Sequence, residues 1–394
     1  MKVLNRTIGI FAALCISTCS VMLGVGILMP IMPLYAKDLG ASGTMVGVVI
    51  ASLALTMAIS NPIVGRLADK YGYKQFIVIG LIFNIPVALA YIFAKNASHL
   101  IAIRLIEGVA TALVESVAMA YVGSIAPKDK EGSYMAIFNT FMMFGFGIGP
   151  ILGGFLMDRV NMKAPFIAMA AFLALSLLLV IILVPKDTKD REQRHKEKIK
   201  KKETPLKDAL SSSILKGLLI YALIVAIGQS GLFAFLPIVT QKQGLSASQI
   251  GLLSSVIMIT AGVLQTPCGF LANKYNKLWL LMSGIILIAI DLAFVPVCTG
   301  FWGFFILSVI GGVGSAISNP AGNAILVRGT KNLGIGFSMG LFNLSFGMGM
   351  IIGPVQAGIV MDMISLDMVF YISAAMFILS AIAIYLYLRK VSSL

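Results

Sequence analysis

Arg104, Glu107 and Glu115 lie in a stretch, 98–124, that is otherwise apolar. On a helix turning roughly 100° per residue, Arg104, Thr111 and Glu115 fall within about 40° of one another, and Glu107 lies about 60° to one side. Two kinds of chemistry follow. Arg104 and Glu107, at i and i+3, can simply neutralise each other. Glu115 has no basic residue one turn away. In an apolar setting such a carboxylate is a candidate to bind and release a proton or to hold a cation. Asp291 is a second carboxylate inside an apolar run, and Asp38 follows the first such run, where it is expected to be solvated. Gln229 sits in the glycine-flanked GQSG of 228–231, where facing a substrate and packing between helices are both open.

Other chemistries lack their residues. No G-x-x-x-x-G-K-S/T run is present to cradle a nucleotide triphosphate, so nothing here should bind ATP through such a loop. The two histidines are His99 and His195, which leaves carboxylates to carry protons through an apolar interior. Cys15, Cys19, Cys268 and Cys298 have no metal-site spacing and read as small buried residues. No metal, cofactor or catalytic nucleophile is expected, and the chain is not read as an enzyme.

The elements that must position these residues follow from composition. Of 394 residues, 59% are hydrophobic and 12% charged, against roughly 45–50% and 25% in ordinary globular chains. A helix crossing a bilayer takes about 20 apolar residues, and twelve such runs are legible, the fourth at 98–124, the fifth at 134–157 and the ninth at 278–297. The first run is too long for a signal peptide and is read as a retained helix. The formal charge of +14 would suit a nucleic-acid binder, but the charges lie between the runs. Lys2, Arg6, Arg66, Lys70, Lys74, Lys274, Arg328 and Arg389 fall in alternate loops, while the opposite loops hold only Lys37, Lys95, Arg159, Lys163 and Lys242. Such bias marks the cytoplasmic side. It predicts a multi-pass protein of the inner or plasma membrane with both termini in the cytoplasm and no nucleic-acid partner. A solvated basic linker, 185–213, separates an N-terminal bundle, 1–184, from a C-terminal bundle, 214–394.

The two halves repeat without a gap. Gly24 pairs with Gly228, Pro33 with Pro237, Gly40 with Gly244 and Ser42 with Ser246; GRLADKYG (65–72) pairs with GFLANKYN (269–276). FNTFMMFGFGIGPILGGFLMD (138–158) pairs with FNLSFGMGMIIGPVQAGIVMD (342–362). An even number of spans per copy inserts both with one orientation, the parallel-repeat plan of alternating-access transporters. The same offset pairs Glu115 with Asn319, Thr111 with Ser315, Arg104 with Ser308 and Glu107 with Gly311. Only the first set is ionisable. In the fifth span, Gly145, Gly149 and Gly153 recur every fourth residue beside Pro150 and Gly154, a smooth stripe for close helix approach with a kink or seal at the proline.

These residues carry a resemblance. Gly65, Arg66, Asp69, Gly72 and Lys74 resemble the loop signature of the major facilitator superfamily, and Arg104 to Gly108 resembles its second motif. The span-five run Gly145–Gly154 resembles the motif of its proton-coupled antiporters, and GVGILMPIMPLYAKDLG (24–40) is similar to bacterial multidrug efflux pumps of the twelve-helix drug:proton antiporter branch. The resemblance implies an all-α integral membrane fold of twelve helices in two pseudo-symmetric six-helix bundles, with spans one, four, seven and ten around a central cavity. It places Thr111 and Glu115 on one wall with Ser315 and Asn319 opposite, sets span nine and Asp291 on the periphery, and makes the 65–74 turn a latch for the outward-facing state. The expected function is proton-coupled export of amphipathic compounds, cations among them, by a monomer in the lipid bilayer. Transport of one defined metabolite (a sugar, organic acid or siderophore) is the alternative, and lipid flipping a more distant one.

Overall fold

The computed structural model describes residues 2–127, 130–184, 213–330 and 335–388. Twelve α-helices run through them: α1 (Lys2–Asp38), α2 (Gly43–Tyr71), α3 (Tyr73–Ala90), α4 (Ala97–Ile125), α5 (Glu131–Arg159), α6 (Ala164–Leu183), α7 (Ser213–Lys242), α8 (Ala247–Lys274), α9 (Lys277–Phe294), α10 (Gly300–Gly329), α11 (Ile335–Met363) and α12 (Leu366–Leu388). Short 3-10 turns, Tyr91–Phe93 and Val295–Val297, extend α3 and α9. Apart from Ser213, the basic linker 185–213 lies outside the described residues.

Among the described residues, eleven helices are long and apolar enough to cross a membrane; the exception, α4, is the one that carries Arg104, Glu107 and Glu115. The starts of the helices follow local chemistry. Ser42 accepts from the Met45 amide at 3.2 Å, Asn96 from that of His99 at 2.9 Å, and Ser246 forms a reciprocal cap with Gln249, each satisfying an amide that the first helical turn leaves unpaired. The turns ahead of α2 and α8 both place a glycine at positive φ, Gly40 at 79° and Gly244 at 82°.

Packing repeats as the sequence does. In the first half α1 packs on α5 and α6, and α4 on α2 and α3; in the second, α7 packs on α11 and α12, and α10 on α8 and α9. The halves meet through α2 with α11, α5 with α8, and α1 with α7. Helices α1 and α7 are the most enclosed, with 61% and 72% of their apolar windows buried, which puts them at the centre.

One local expectation is corrected. The 65–74 segment is not a loop: α2 continues to Tyr71, and a Cβ on Gly65 would meet open space. Arg66 to Tyr71 contains no helix breaker, and Leu67, Ala68 and Lys70 are good helix formers. The reversal is left to Gly72, whose φ of 111° lies in the left-handed half that L side chains avoid.

Candidate functional site

In the N-terminal bundle, Arg104 and Glu107 form a buried ion pair at 3.0 Å. The Tyr91 hydroxyl donates to the same Oε2 of Glu107, and the guanidinium of Arg104 lies 5.7 Å from the Tyr91 ring centre. Tyr91 stacks on Phe166 at 5.2 Å, and Tyr35 donates to the carbonyls of Tyr91 and Ala94 at 2.9 and 3.3 Å, pinning the 3-10 turn. Thr111 is also buried and accepts from Asn84 at 3.3 Å. Arg104, Glu107 and Thr111 thus point toward α3 and the turn that extends it, into the bundle. Periodicity put them close to Glu115 in angle, but the helices around α4 divide that group. Tyr35, Tyr91 and Phe166 were not legible, since aromatic residues at those positions read as ordinary apolar filler.

Glu115 is half-buried, and Arg104–Glu107 is the ion pair found among the described residues. Its repeat mate Asn319 is exposed, while Ser315, the mate of Thr111, is buried.

In the C-terminal bundle the structure brings Gln229 of α7 together with Ser315, Ser318 and Asn319 of α10, beside Phe377 of α12, around one cavity. Asp291 of α9 joins them, which corrects its assignment to the periphery. It is 3% exposed, and its Oδ2 is buried without a hydrogen-bond partner. The place is opened by Gly311, where a Cβ would lie 2.2 Å from that oxygen.

The charges of the Gly72 turn are held locally. Asp69 accepts from the Tyr73 hydroxyl at 2.6 Å, Lys74 donates to the carbonyls of Ile181 (2.9 Å) and Val184 at the end of α6, and Arg66 is exposed.

The opposite end is joined by a matched pair of contacts that sequence reading passed over. Asp362, near the end of α11, accepts from the amides of Gly43 (2.6 Å) and Thr44 (2.7 Å) and from the Thr44 hydroxyl (2.7 Å), capping α2 from the other half. Asp158, near the end of α5, accepts from the amides of Ala247 (3.0 Å) and Ser248 (2.7 Å), capping α8. A carboxylate at a helix N-terminus meets both the unpaired amides and the positive end of the dipole. The signal was available, because the aligned runs 138–158 and 342–362 end on these two aspartates.

The span-five motif has two faces. Gly145, Gly149 and Gly153 pack on α1: a Cβ at Gly149 would lie 2.6 Å from the Gly26 Cα. Gly154 and Pro150 face α8 instead, and a Cβ at Gly154 would lie 2.1 Å from the Ala247 carbonyl. Gly358 repeats this against Gly43 at 2.2 Å. At the end nearer Gly72, Cβ atoms on Gly65, Gly262, Gly269, Gly340 and Gly347 would meet open space. The bundles therefore touch at the capped end and part at the other.

The family model of the Major Facilitator Superfamily matches residues 14–246 and 218–393. An uncharacterized MFS-type transporter of Methanocaldococcus jannaschii is 31% identical over 95% of this chain and 97% of its own. The quinolone resistance protein NorA of Staphylococcus aureus is 26% identical over 87% of each chain, and a multi-drug resistance efflux pump PmrA homolog of Lactococcus lactis is 28% identical over 86% of this chain and 85% of its own. Among solved structures, the nucleoside transporter NupG shares the fold with a TM-score of 0.83 at 15% identity, covering 96% of this chain and 99% of its own. A bacterial homolog of the human lysosomal transporter Spinster, inward-facing and occupied, gives 0.79 at 13% identity, covering 96% of each.

Proposed function

The chain belongs to the Major Facilitator Superfamily, and from that premise we propose that it is a proton-coupled exporter of amphipathic compounds, cations among them. It works by alternating access as a monomer in the cell membrane, with both termini in the cytoplasm. The observation that carries the reading is Glu115: a half-buried carboxylate outside the Arg104–Glu107 pair, across the repeat from the neutral, exposed Asn319. One wall can change its charge and the other cannot. A single group that trades a proton for a cation couples the two movements, because it cannot hold both. The breadth of substrate follows the printed names of two relatives, one a quinolone resistance protein and one a multi-drug efflux pump homolog.

The basic side of the loops sets the Gly72 end in the cytoplasm, so the capped end is outer and the state is inward-facing. In the outward-facing state Asp69 and Arg66 would leave their local positions and latch the cytoplasmic ends together.

The test is a proteoliposome assay with an imposed pH gradient and no ATP, reading lumenal pH while lipophilic cations, neutral drugs and sugars are added in turn. Several unrelated cations should evoke proton movement, and Glu115→Gln should abolish it. A response to one sugar or other metabolite alone would overturn the multidrug reading.

A further inference from the structure

The repeat and the C-terminal cavity together show where the two halves handle a buried carboxylate differently. In the first half the carboxylate belongs to α4 (Glu107), and it meets Arg104 and the Tyr91 hydroxyl. In the second half the equivalent α10 positions are Gly311 and Ser308, and the carboxylate comes from α9, with Asp291 Oδ2 lying 2.2 Å from where a Gly311 Cβ would be. Each bundle thus holds one buried carboxylate between its third and fourth helices. Only the first has a guanidinium beside it; the buried Ser308 stands where the second would be. An isolated ionised carboxylate in low-dielectric surroundings is costly unless it is paired or protonated.

The groups facing Asp291 supply no counter-charge. From α7 come Gln229 and apolar side chains, from α8 Ile257, from α10 Ser315, Ser318 and Asn319, and from α12 Phe377. The nearby titratable groups are uncharged: the Cys298 thiol beyond the 3-10 turn, and the buried Tyr221 hydroxyl, which meets Ser318. Toward the open end α10 carries polar side chains. Gly311, Ser315, Asn319 and Asn323 recur every fourth residue on α10, buried at the first two and exposed at the last two. The cavity has room for about one or two water molecules, too little for an amphipathic drug.

We propose that Asp291 is a second proton site, loaded from the open end past Asn319 and Ser315, and that it takes up and releases one coupling proton in each cycle. The proposal rests on the exporter reading and adds a proton carrier, in the opposite bundle, to Glu115.

The test is infrared difference spectroscopy of the full-length protein in lipid as pH is raised, in a Glu115→Gln background. A carboxylic C=O band should disappear with rising pH, and it should be missing throughout when Asp291→Asn is added. Gly311→Ala, which drives a methyl group into the carboxylate while leaving Asp291 in place, should shift the same band. In transport, Asp291→Asn should lower the proton-to-substrate ratio while substrate exchange without a gradient persists, showing that the protein is folded. A pH-difference spectrum unchanged by Asp291→Asn would overturn the proposal. So would loss of the band when sodium replaces potassium at fixed pH, which would make this a sodium site. If the band behaves as expected but no compound evokes proton flux, the exporter reading fails instead.

Discussion

The two halves agree at one end and differ in the middle. At the capped end Gly40 matches Gly244, Ser42 matches Ser246, and Asp362 and Asp158 each cap a helix of the other half. In the middle, Arg104 and Glu107 face Ser308 and Gly311 across the repeat, Glu115 faces Asn319, and Asp291 faces the apolar Val87. Symmetry persists where the two bundles touch, and it is broken where the buried charges lie. The N-terminal half spends one carboxylate on structure and keeps one, Glu115, outside the ion pair. In its middle, among the described residues, the C-terminal half has Asp291, a carboxylate without a counter-ion.

The sharpest way to break this comparison is at Glu115. Glu115→Gln should reduce pH-driven transport to the level of protein-free vesicles, whereas Asn319→Gln, at the mate position, should leave pH-driven transport measurable, changing which compounds are moved and at most slowing the loading of Asp291. Equal losses from both, in the same flux assay, would show that the asymmetry has no function.

Next in size is the pair itself. Arg104→Ala leaves Glu107 buried without its partner and should destabilise the protein by about 3–5 kcal/mol, seen as a lower melting temperature in detergent. Replacing both, Arg104→Met with Glu107→Leu, should recover most of that loss, since an apolar pair of similar volume is often neutral or better. A double variant as unstable as the single one would mean that Glu107 does more than neutralise Arg104.

The caps should shift conformation more than stability. Each of Asp158→Ala and Asp362→Ala removes charged acceptors from a helix start, an effect of roughly 1–2 kcal/mol and so about a tenfold change in the open-to-closed ratio. Spin labels near the capped ends of α5 and α8 should report a larger population of separated ends. Because the caps are matched, the two variants should act alike; a change from only one would break the symmetry claimed for this end.

The smallest effects compare the turns before α3 and α9. Gly72 reverses the chain by its positive φ, whereas Asn276 does so by accepting from the amides of Leu278 and Trp279. Gly72→Ala and Asn276→Ala should each cost about 1 kcal/mol, the first through backbone strain and the second through a lost cap.

The architecture was largely legible because it rests on one-dimensional signals. Apolar run length, the alternation of Lys and Arg, and the fixed repeat offset needed no contact to be known. The span-five glycines were legible as a packing stripe, though not that Gly154 and Pro150 turn away from α1 toward α8. The site was harder to read. Helical angle placed Arg104, Thr111 and Glu115 on one face, but which part of that face meets Tyr91 and Asn84 depends on how α3 and α6 pack, and periodicity carries no such information. Asp291 was set aside because its helix was expected at the edge, yet one residue, Gly311, lets its carboxylate reach inward. A glycine opposite a lone acid, read across the repeat from Glu107, was the available clue.

The central claim is that carboxylates outside the ion pair carry protons while the paired one holds the fold. It is tested most directly by the proton flux that a lipophilic cation evokes in proteoliposomes, normalised to folded protein, for wild type, Glu115→Gln and Glu107→Gln. The account predicts flux from wild type and from the surviving Glu107→Gln protein, and none from Glu115→Gln. Flux retained in Glu115→Gln and lost in Glu107→Gln would contradict it.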